Sequence, residues 1–283
     1  MSEAATKKER IGFVGVGRMG SVMLQCVLEA GYSAVLCDPN PEAIAAFVEK
    51  FPQQVRVAAT PREAAEQTDI IEVVVNTNEQ LLECCLGQTG ILAGARASSI
   101  VLIHSTVARE NLERLGKAAA ERSVFLLDAM VSGARGHLSI PNLAVMVGGD
   151  AAAFARAKPV MDTFGSLVLH LGKQGAGLDA KLAINMLRYV VMATSQEVAR
   201  MAEKAGVGDA MAQLVAHTES NRYVGNLTRV LQVPAAYRKK DAELAQKDLR
   251  AAIARAAELG VQLPTAELAV GLMHRLWSVD HDG

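Results

Sequence analysis

The sequence predicts an α/β chain in two parts: an N-terminal doubly wound sheet domain, then an all-α C-terminal domain, joined by one long interdomain helix. Three observations carry this. Short β-branched runs alternate with helical stretches from Ile11 to about Gly172. After Gly172 the strand-like runs vanish. A glycine triplet sits where the first run turns into the first helix.

The strands read as Ile11–Val14, Ala34–Cys37, Val55–Ala58, Ile70–Val75, Ile100–His104, Val124–Asp128, Leu143–Val147 and Leu167–Leu171. Most are continuous apolar runs rather than alternating ones, the pattern of strands covered on both faces of a parallel sheet. Arg18–Ala30 and Pro41–Lys50 read as helices between the first of them. Ala180–Ala205 is a long helical stretch without Pro or Gly, and helices follow at Asp209–His217, Asp241–Leu259 and Thr265–Leu276. Gly206, Gly208, Pro234, Gly260 and Pro264 punctuate them. The turn from Gly172 to Gly175 is taken as the boundary between a first domain, 1–172, and a second, 173–283.

A formal net charge of −1, from 29 basic and 30 acidic residues, builds no positive field for nucleic acid or an anionic membrane. Cys26, Cys37, Cys84 and Cys85 form no Cys-x-x-Cys pair, which points to a reducing compartment and no structural zinc. The six histidines show no ligand spacing, so no metal is expected. No apolar run approaches the ~20 residues of a membrane span. Met1 to Arg10 is polar, lacks the core of a signal peptide, and reads as a short flexible tail. The expectation is a soluble cytoplasmic protein.

The segment Ile11 to Gly20 carries Gly15-x-Gly17-x-x-Gly20 between a strand and a helix. The first glycine suits a tight turn, the second a close backbone approach to a pyrophosphate, and the third close helix–sheet packing. The second strand ends in Asp38, placed to bind both ribose hydroxyls of NAD and to repel a 2′-phosphate. A glycine-rich turn without a ligand is the plainer alternative, and the strand–turn–helix context argues against it in favour of a Rossmann domain. Ser132 and Gly133 follow a strand, where a hydroxyl and free N–H groups suit a carboxylate. Gly175 and Gly177 read as a hinge. Lys181, Asn185 and Arg188 share one face of a largely apolar helix, and such groups need partners there. Lys247 lies in a further candidate segment, Gln246 to Leu249, read as opening a long helix, whose plainer reading is a solvated helical face.

In order and spacing these motifs resemble the β-hydroxyacid dehydrogenases, the group containing 3-hydroxyisobutyrate dehydrogenase and tartronate semialdehyde reductase. The resemblance runs from Ile11 to about Leu276. It implies that Gly15, Gly17, Arg18, Met19, Gly20 and Asp38 hold the cofactor, and that Thr106 of the Ser105-Thr106-Val107 segment lies on its nicotinamide side. It implies that Ser132 and Gly133 hold the substrate carboxylate, that Lys181 is the catalytic lysine with Asn185 its partner, and that Lys247 approaches the cofactor. Arg188 is expected either to lower the proton affinity of Lys181 or to clamp a second substrate anion. A free lysine titrates near ~10.4, so a lysine base needs burial or a neighbouring cation.

Several positions depart from the family pattern. Asn76-Thr77-Asn78 replaces Met-Leu-Pro, as in the threonate dehydrogenase branch, with Asn76 and Thr77 taken as cofactor contacts. Met130 replaces a proline, Ala134 a glycine, Ile184 the first of two asparagines, and Lys240 an aromatic. These changes leave the chemistry in place and open the question of the substrate, for which Arg135, Arg188, Arg222 and Tyr223 are further candidates. The implied reaction is reversible hydride transfer between NAD, in preference to NADP, and a small anionic 3-hydroxy acid or related semialdehyde, with Lys181 as general acid and base. The helical domain would serve substrate binding and oligomerisation. The apolar residues all round parts of the long helix, with the resemblance, imply a homodimer or homotetramer. Two other readings are an imine or ketone reductase on the same scaffold, which would lack the Lys181/Asn185 pair, and a non-catalytic NAD-binding sensor.

Overall fold

A computed structural model describes residues 9–133, 142–218 and 235–277. Every strand expected from the sequence forms: β1 (Ile11–Val14), β2 (Ala34–Cys37), β3 (Val55–Val57), β4 (Ile70–Val73), β5 (Ile100–Ile103), β6 (Phe125–Ser132), β7 (Leu143–Gly148) and β8 (Gly165–Gly172). They make one 8-stranded sheet in the order β3-β2-β1-β4-β5-β6-β7-β8. The central strands β1, β2, β4 and β5 are buried along their whole length. That is why they read as unbroken apolar runs.

The helices of this part are α1 (Arg18–Glu29), α2 (Pro41–Lys50), α3 (Pro61–Glu66), α4 (Asn78–Leu86), α5 (Ile91–Gly94), α6 (Arg109–Ala120) and α7 (Ala151–Met161). Met23, Leu24, Val27 and Leu28 of α1 pack on Ile11, Phe13 and Leu36 of the sheet, giving the main core its centre. The entrances are capped locally. Asn40 accepts from the N–H of Glu42 ahead of Pro41, and Thr60 accepts from that of Glu63 ahead of Pro61.

The sheet departs from an all-parallel one at β7. Strands β1 to β6 run parallel, β7 runs antiparallel to β6, and β8 runs parallel to β7. The physical reason is the connection, which spans only Gly133 to Asn142. A parallel return needs a crossover of a dozen or more residues, usually helical. The reversal has a positional result. Cys37, Val14, Val73, Ile103, Asp128 and Gly148 form one continuous row across six strands, and Gly148 pairs onward with Gly172. Because β7 and β8 run backwards, the chain leaves β8 at the same edge where β1, β2, β4 and β5 end.

The expected flexible tail ends sooner than Arg10. Residues 1–8 lie outside the described residues, while Glu9 accepts from Arg156 at 2.6 Å. Asp69 accepts from Arg10 backbone N–H and Nε at 3.1 and 3.0 Å, and from Arg96 Nη2 at 2.8 Å. The Arg10 side chain, hydrogen-bonded to it, holds the Asp69 carboxyl below its usual range against the opposing effect of burial. A carboxyl depressed on folding contributes stability above its unfolded value, near ~3.9, and loses it as pH falls through the folded value. Asp69→Asn should therefore cost about 1 kcal/mol at neutral pH, its guanidinium partners being half-exposed. Urea melts of the two proteins should converge below about pH 3; a gap that persists there would contradict the linkage.

The chain divides into two compact units, residues 1–181 and 182–283. Helix α8 (Ala176–Lys204) starts in the first and continues in the second, with α9 (Gly208–His217), α10 (Ala235–Glu258) and α11 (Pro264–Trp277) following. The core of the second unit joins Tyr189 and Ala193 of α8 to Ala242, Ala245 and Leu249 of α10 and to Ala266, Ala269 and Met273 of α11. Alanines at these positions let the helix backbones approach closely. Among the described residues no helix is long and apolar enough to cross a membrane.

Candidate active site

The row of strand ends gathers most of the candidate residues of the first unit. Gly15 follows β1 with φ +93, a conformation that L side chains rarely adopt. A Cβ there would stand 2.2 Å from the Val74 carbonyl, so the loops after β1 and β4 touch backbone to backbone. These are the two strands at which the order of connection reverses, the place where open α/β sheets bind ligands. A Cβ on Gly20 would stand 2.2 Å from the Gly15 carbonyl, whereas one on Gly17 would meet nothing within 4 Å. Gly17 begins α1 with no side-chain cap, and Arg18 beside it is exposed, with Met19 half-buried. Two glycines are thus used up by the protein's own packing. The third leaves a backbone cradle that a side chain would fill, and the open end of α1 suits an anion. The arrangement fits a dinucleotide pyrophosphate.

Asp38 closes the same loop. It accepts from Val16 N–H at 2.6 Å and from Asn40 N–H at 2.8 Å. A carboxylate has about four acceptor positions, so this double brace leaves capacity for ribose hydroxyls.

The neighbouring loops divide their tasks. The Ser105 hydroxyl donates to the Val75 carbonyl at 2.6 Å and accepts from Val75 N–H at 3.0 Å, tying the loops after β4 and β5 together. Thr106 beside it is half-buried. Thr77 caps α4, accepting from Gln80 N–H at 3.2 Å, while Gln80 Oε1 accepts from Asn76 N–H at 2.9 Å. This is a capping arrangement that Thr-x-x-Gln announces in sequence. Asn76 and Thr77 are both exposed at the strand-end row.

Beneath that row lies a pair the sequence reading missed. Glu72 of β4 and His104 at the end of β5 have fully buried side chains and bond to each other. His104 Nδ1 lies 2.6 Å from the Ala129 carbonyl of β6. A carbonyl only accepts, so Nδ1 carries a proton, and the imidazole links three adjacent strands. A glutamate inside the apolar run Ile70 to Val73 was the available signal, since a carboxylate buried there must find a partner.

Strand β6 overshoots the row. Ser132 pairs with Ala144, four residues beyond Asp128, and so stands about 13 Å past the common edge. Ser132 is half-buried and Gly133 exposed. Arg135 lies outside the described residues. Asp128 itself is fully buried and accepts from the N–H groups of Gly175 and Leu178, at the start of α8, at 2.7 and 2.9 Å. Gly175 and Gly177, read as a hinge, are both buried in this packing. Lys181 follows, 9% exposed.

In the second unit Asn185, one turn beyond Lys181 on α8, is 2% exposed. Its Nδ2 donates to Asp248 Oδ2 at 2.8 Å, and the Tyr189 hydroxyl reaches the same oxygen at 3.4 Å. The carboxylate fixes the amide, since only the NH₂ can donate to it. Asn185 Oδ1 is therefore the remaining acceptor, buried and without a hydrogen-bond partner. Asp248 was missed in the sequence. It sits among the buried Ala242, Ala245, Leu249 and Ala252 of α10, and a carboxylate on such a stripe again demands a partner. Lys247 Nζ is 3.7 Å from Asp248 Oδ1 and 40% exposed. Arg188 is exposed, its guanidinium 5.5 Å from the Tyr189 ring. Arg222 and Tyr223 lie outside the described residues.

Residues 10–172 match the family described as the NAD binding domain of 6-phosphogluconate dehydrogenase. Residues 175–282 match the one described as NAD-binding of NADP-dependent 3-hydroxyisobutyrate dehydrogenase. The chain is 30% identical to the 3-hydroxyisobutyrate dehydrogenase of Pseudomonas aeruginosa, over 96% of this chain and 94% of that one. It superposes on the crystal structure of 3-hydroxyisobutyrate dehydrogenase from Salmonella typhimurium with a TM-score of 0.82 and 27% identity, covering 95% and 94% of the two chains. A structure of the Mycobacterium tuberculosis 3-hydroxyisobutyrate dehydrogenase with L-serine gives 0.79 and 27%, covering 96% and 94%.

Proposed function

The chain belongs to the β-hydroxyacid dehydrogenase family and is an NAD(P)-binding dehydrogenase acting on a CH–OH group; from that premise we propose that it oxidises a small anionic 3-hydroxy acid, or reduces the related semialdehyde, with NAD, using Lys181 as general acid and base. The observation that carries this is the placing of Lys181. It is a buried lysine early in a helix that begins at the same sheet edge as the glycine loop, and Asn185 lies one turn further on.

The bound nicotinamide would supply the hydride acceptor or donor. The chain's own residues do the rest. Lys181 takes the hydroxyl proton in oxidation and returns it in reduction. Its burial keeps bulk water from competing for that proton. Asn185, with its amide turned by Asp248, offers Oδ1 as a fixed acceptor for a hydroxyl or ammonium proton. Ser132 and Gly133 hold the carboxylate, which sets the reacting carbon; positioning of this kind supplies a large share of a rate. Thr106, Asn76, Thr77 and Lys247 line the cofactor, and Arg188 meets a second anionic group of the substrate. The exposed Ile184, Leu187 and Met201 of α8 are covered by a second copy of the chain in a homodimer or homotetramer, which the solution mass by light scattering tests.

The test is the absorbance of reduced nicotinamide on mixing protein and NAD with 3-hydroxyisobutyrate and other small 3-hydroxy acids. Turnover on one of them supports the reading; none on any, with NAD or NADP, would sink it. The NAD preference rests on Asp38, whose charge repels a 2′-phosphate. Asp38→Asn should lower kcat/KM for NAD about tenfold and raise it for NADP, a change of roughly 1.4 kcal/mol in each complex. An unchanged ratio would remove Asp38 from cofactor selection.

A further inference from the structure

The start of α8 is held in an unusual way, and the consequence falls on Lys181. The first N–H groups of a helix have no partner within it. At α8 those of Gly175 and Leu178 donate to the two oxygens of Asp128, at 2.7 and 2.9 Å. Asp128 is not a neighbour in sequence. It is a β6 residue, 0% exposed, supplied from 47 to 50 positions upstream. A carboxylate suits the place because the nest offers only donors. The packing around it is close: a Cβ on Gly177 would stand 2.3 Å from the Met146 carbonyl and 2.5 Å from that of Asp128. A second tie comes from α6. Arg109, the first residue of α6, bonds to Asp179 and to the Gly175 carbonyl, and α6 follows the Ser105–Thr106 loop.

We propose that Asp128 is a positioning residue for Lys181: its buried carboxylate caps α8 from the sheet and fixes where the lysine's turn stands relative to the glycine loop. This rests on the acid–base reading of Lys181. Lys181 is only three residues beyond Leu178, whose N–H is one of the two held. Long side chains on a helix lean towards its N-terminus, which for Lys181 is the turn that Asp128 secures. Burial pushes the Asp128 carboxyl up from its usual range while the backbone donors pull it down, and the net direction is upward. The chain thus retains a carboxylate where burial opposes its charge. An isosteric amide would keep the shape but turn its NH₂ towards a backbone N–H.

Asp128→Asn is the test, measured on the full-length protein. It should melt cooperatively, bind NADH within about twofold of wild type, keep both KM values within about threefold, and lose ten- to a hundredfold in kcat, the cost of a misplacement of about 1 Å. A wild-type kcat would overturn the proposal, as would an equal loss spread over NADH binding and both KM values. Should Asp128→Asn fail to fold, hydrogen exchange on the wild-type protein decides. The amides of Gly175 and Leu178 should be as protected as the middle of α8, and exchange at the rate of a frayed helix end overturns the cap. Lys181→Ala separates the two readings. If that variant stays active, the acid–base assignment falls, whereas a dead Lys181→Ala beside a fully active Asp128→Asn defeats this proposal alone.

Discussion

Lys181→Ala should reduce kcat about a thousandfold while leaving NADH affinity within about twofold. Positioned general acid–base groups contribute ~10²–10⁴ in rate. The loss should fall on kcat and kcat/KM alike, because the proton moves only in the reacting complex. Lys181→Arg makes the test sharper. A guanidinium keeps the positive charge but does not give up its proton in the accessible range. If Lys181 serves only to attract an anionic substrate, the arginine variant will retain much of its activity. If Lys181 exchanges a proton, that variant will be nearly as slow as the alanine one. Activity above a tenth of wild type in both would end the assignment.

The glycine loop should separate into two kinds of variant. Gly20→Ala places a methyl 2.2 Å from the Gly15 carbonyl, and that oxygen is backbone rather than the far end of a flexible side chain. A destabilisation of about 3 kcal/mol is expected, at the upper end of overpacking effects, seen as a lower urea midpoint with or without cofactor. Gly17→Ala meets nothing within 4 Å in the protein itself. Its stability should stay within ~0.5 kcal/mol of wild type. NAD affinity should nevertheless fall ten- to a hundredfold, about 1.4–2.7 kcal/mol, because the new methyl occupies the space kept for a pyrophosphate. Titration of both variants with NADH decides it; wild-type affinity in Gly17→Ala would show that the cradle is not where the phosphates lie.

These residues also mark how far the sequence was legible. Strands buried on two faces leave an unbroken apolar signature, which made β1, β2, β4 and β5 legible, whereas the edge strands β3 and β8 are largely exposed and were legible from their short β-branched and aliphatic runs. The glycines were legible because backbone requirements restrict residue type, and Gly15 with its φ of +93 is such a position. The direction of β7 was encoded too, in a link from β6 too short for a crossover, but it had to be read from length rather than composition. Thr77 shows a competing local use: its cap on α4 was signalled by Gln80 three residues on. The buried carboxylates resisted reading for another reason. Glu72, Asp128 and Asp248 find their partners 32, 47 and 63 residues away. A sequence announces that a buried charge needs a partner. It does not say which distant donor arrives, because that depends on strand order and register.

The Asp128 cap has a bearing on the order in which the protein assembles. Its two oxygens wait on amides about fifty residues later, with β7, α7 and β8 in between. Closing a loop of that length is entropically costly until intervening structure shortens it. The glycine loop closes over a comparable stretch, since Gly15 packs against the Val74 backbone beyond β4. Both therefore wait on pairing between strands far apart in sequence, and the start of α8 waits in addition on the docking of the reversed pair β7 and β8.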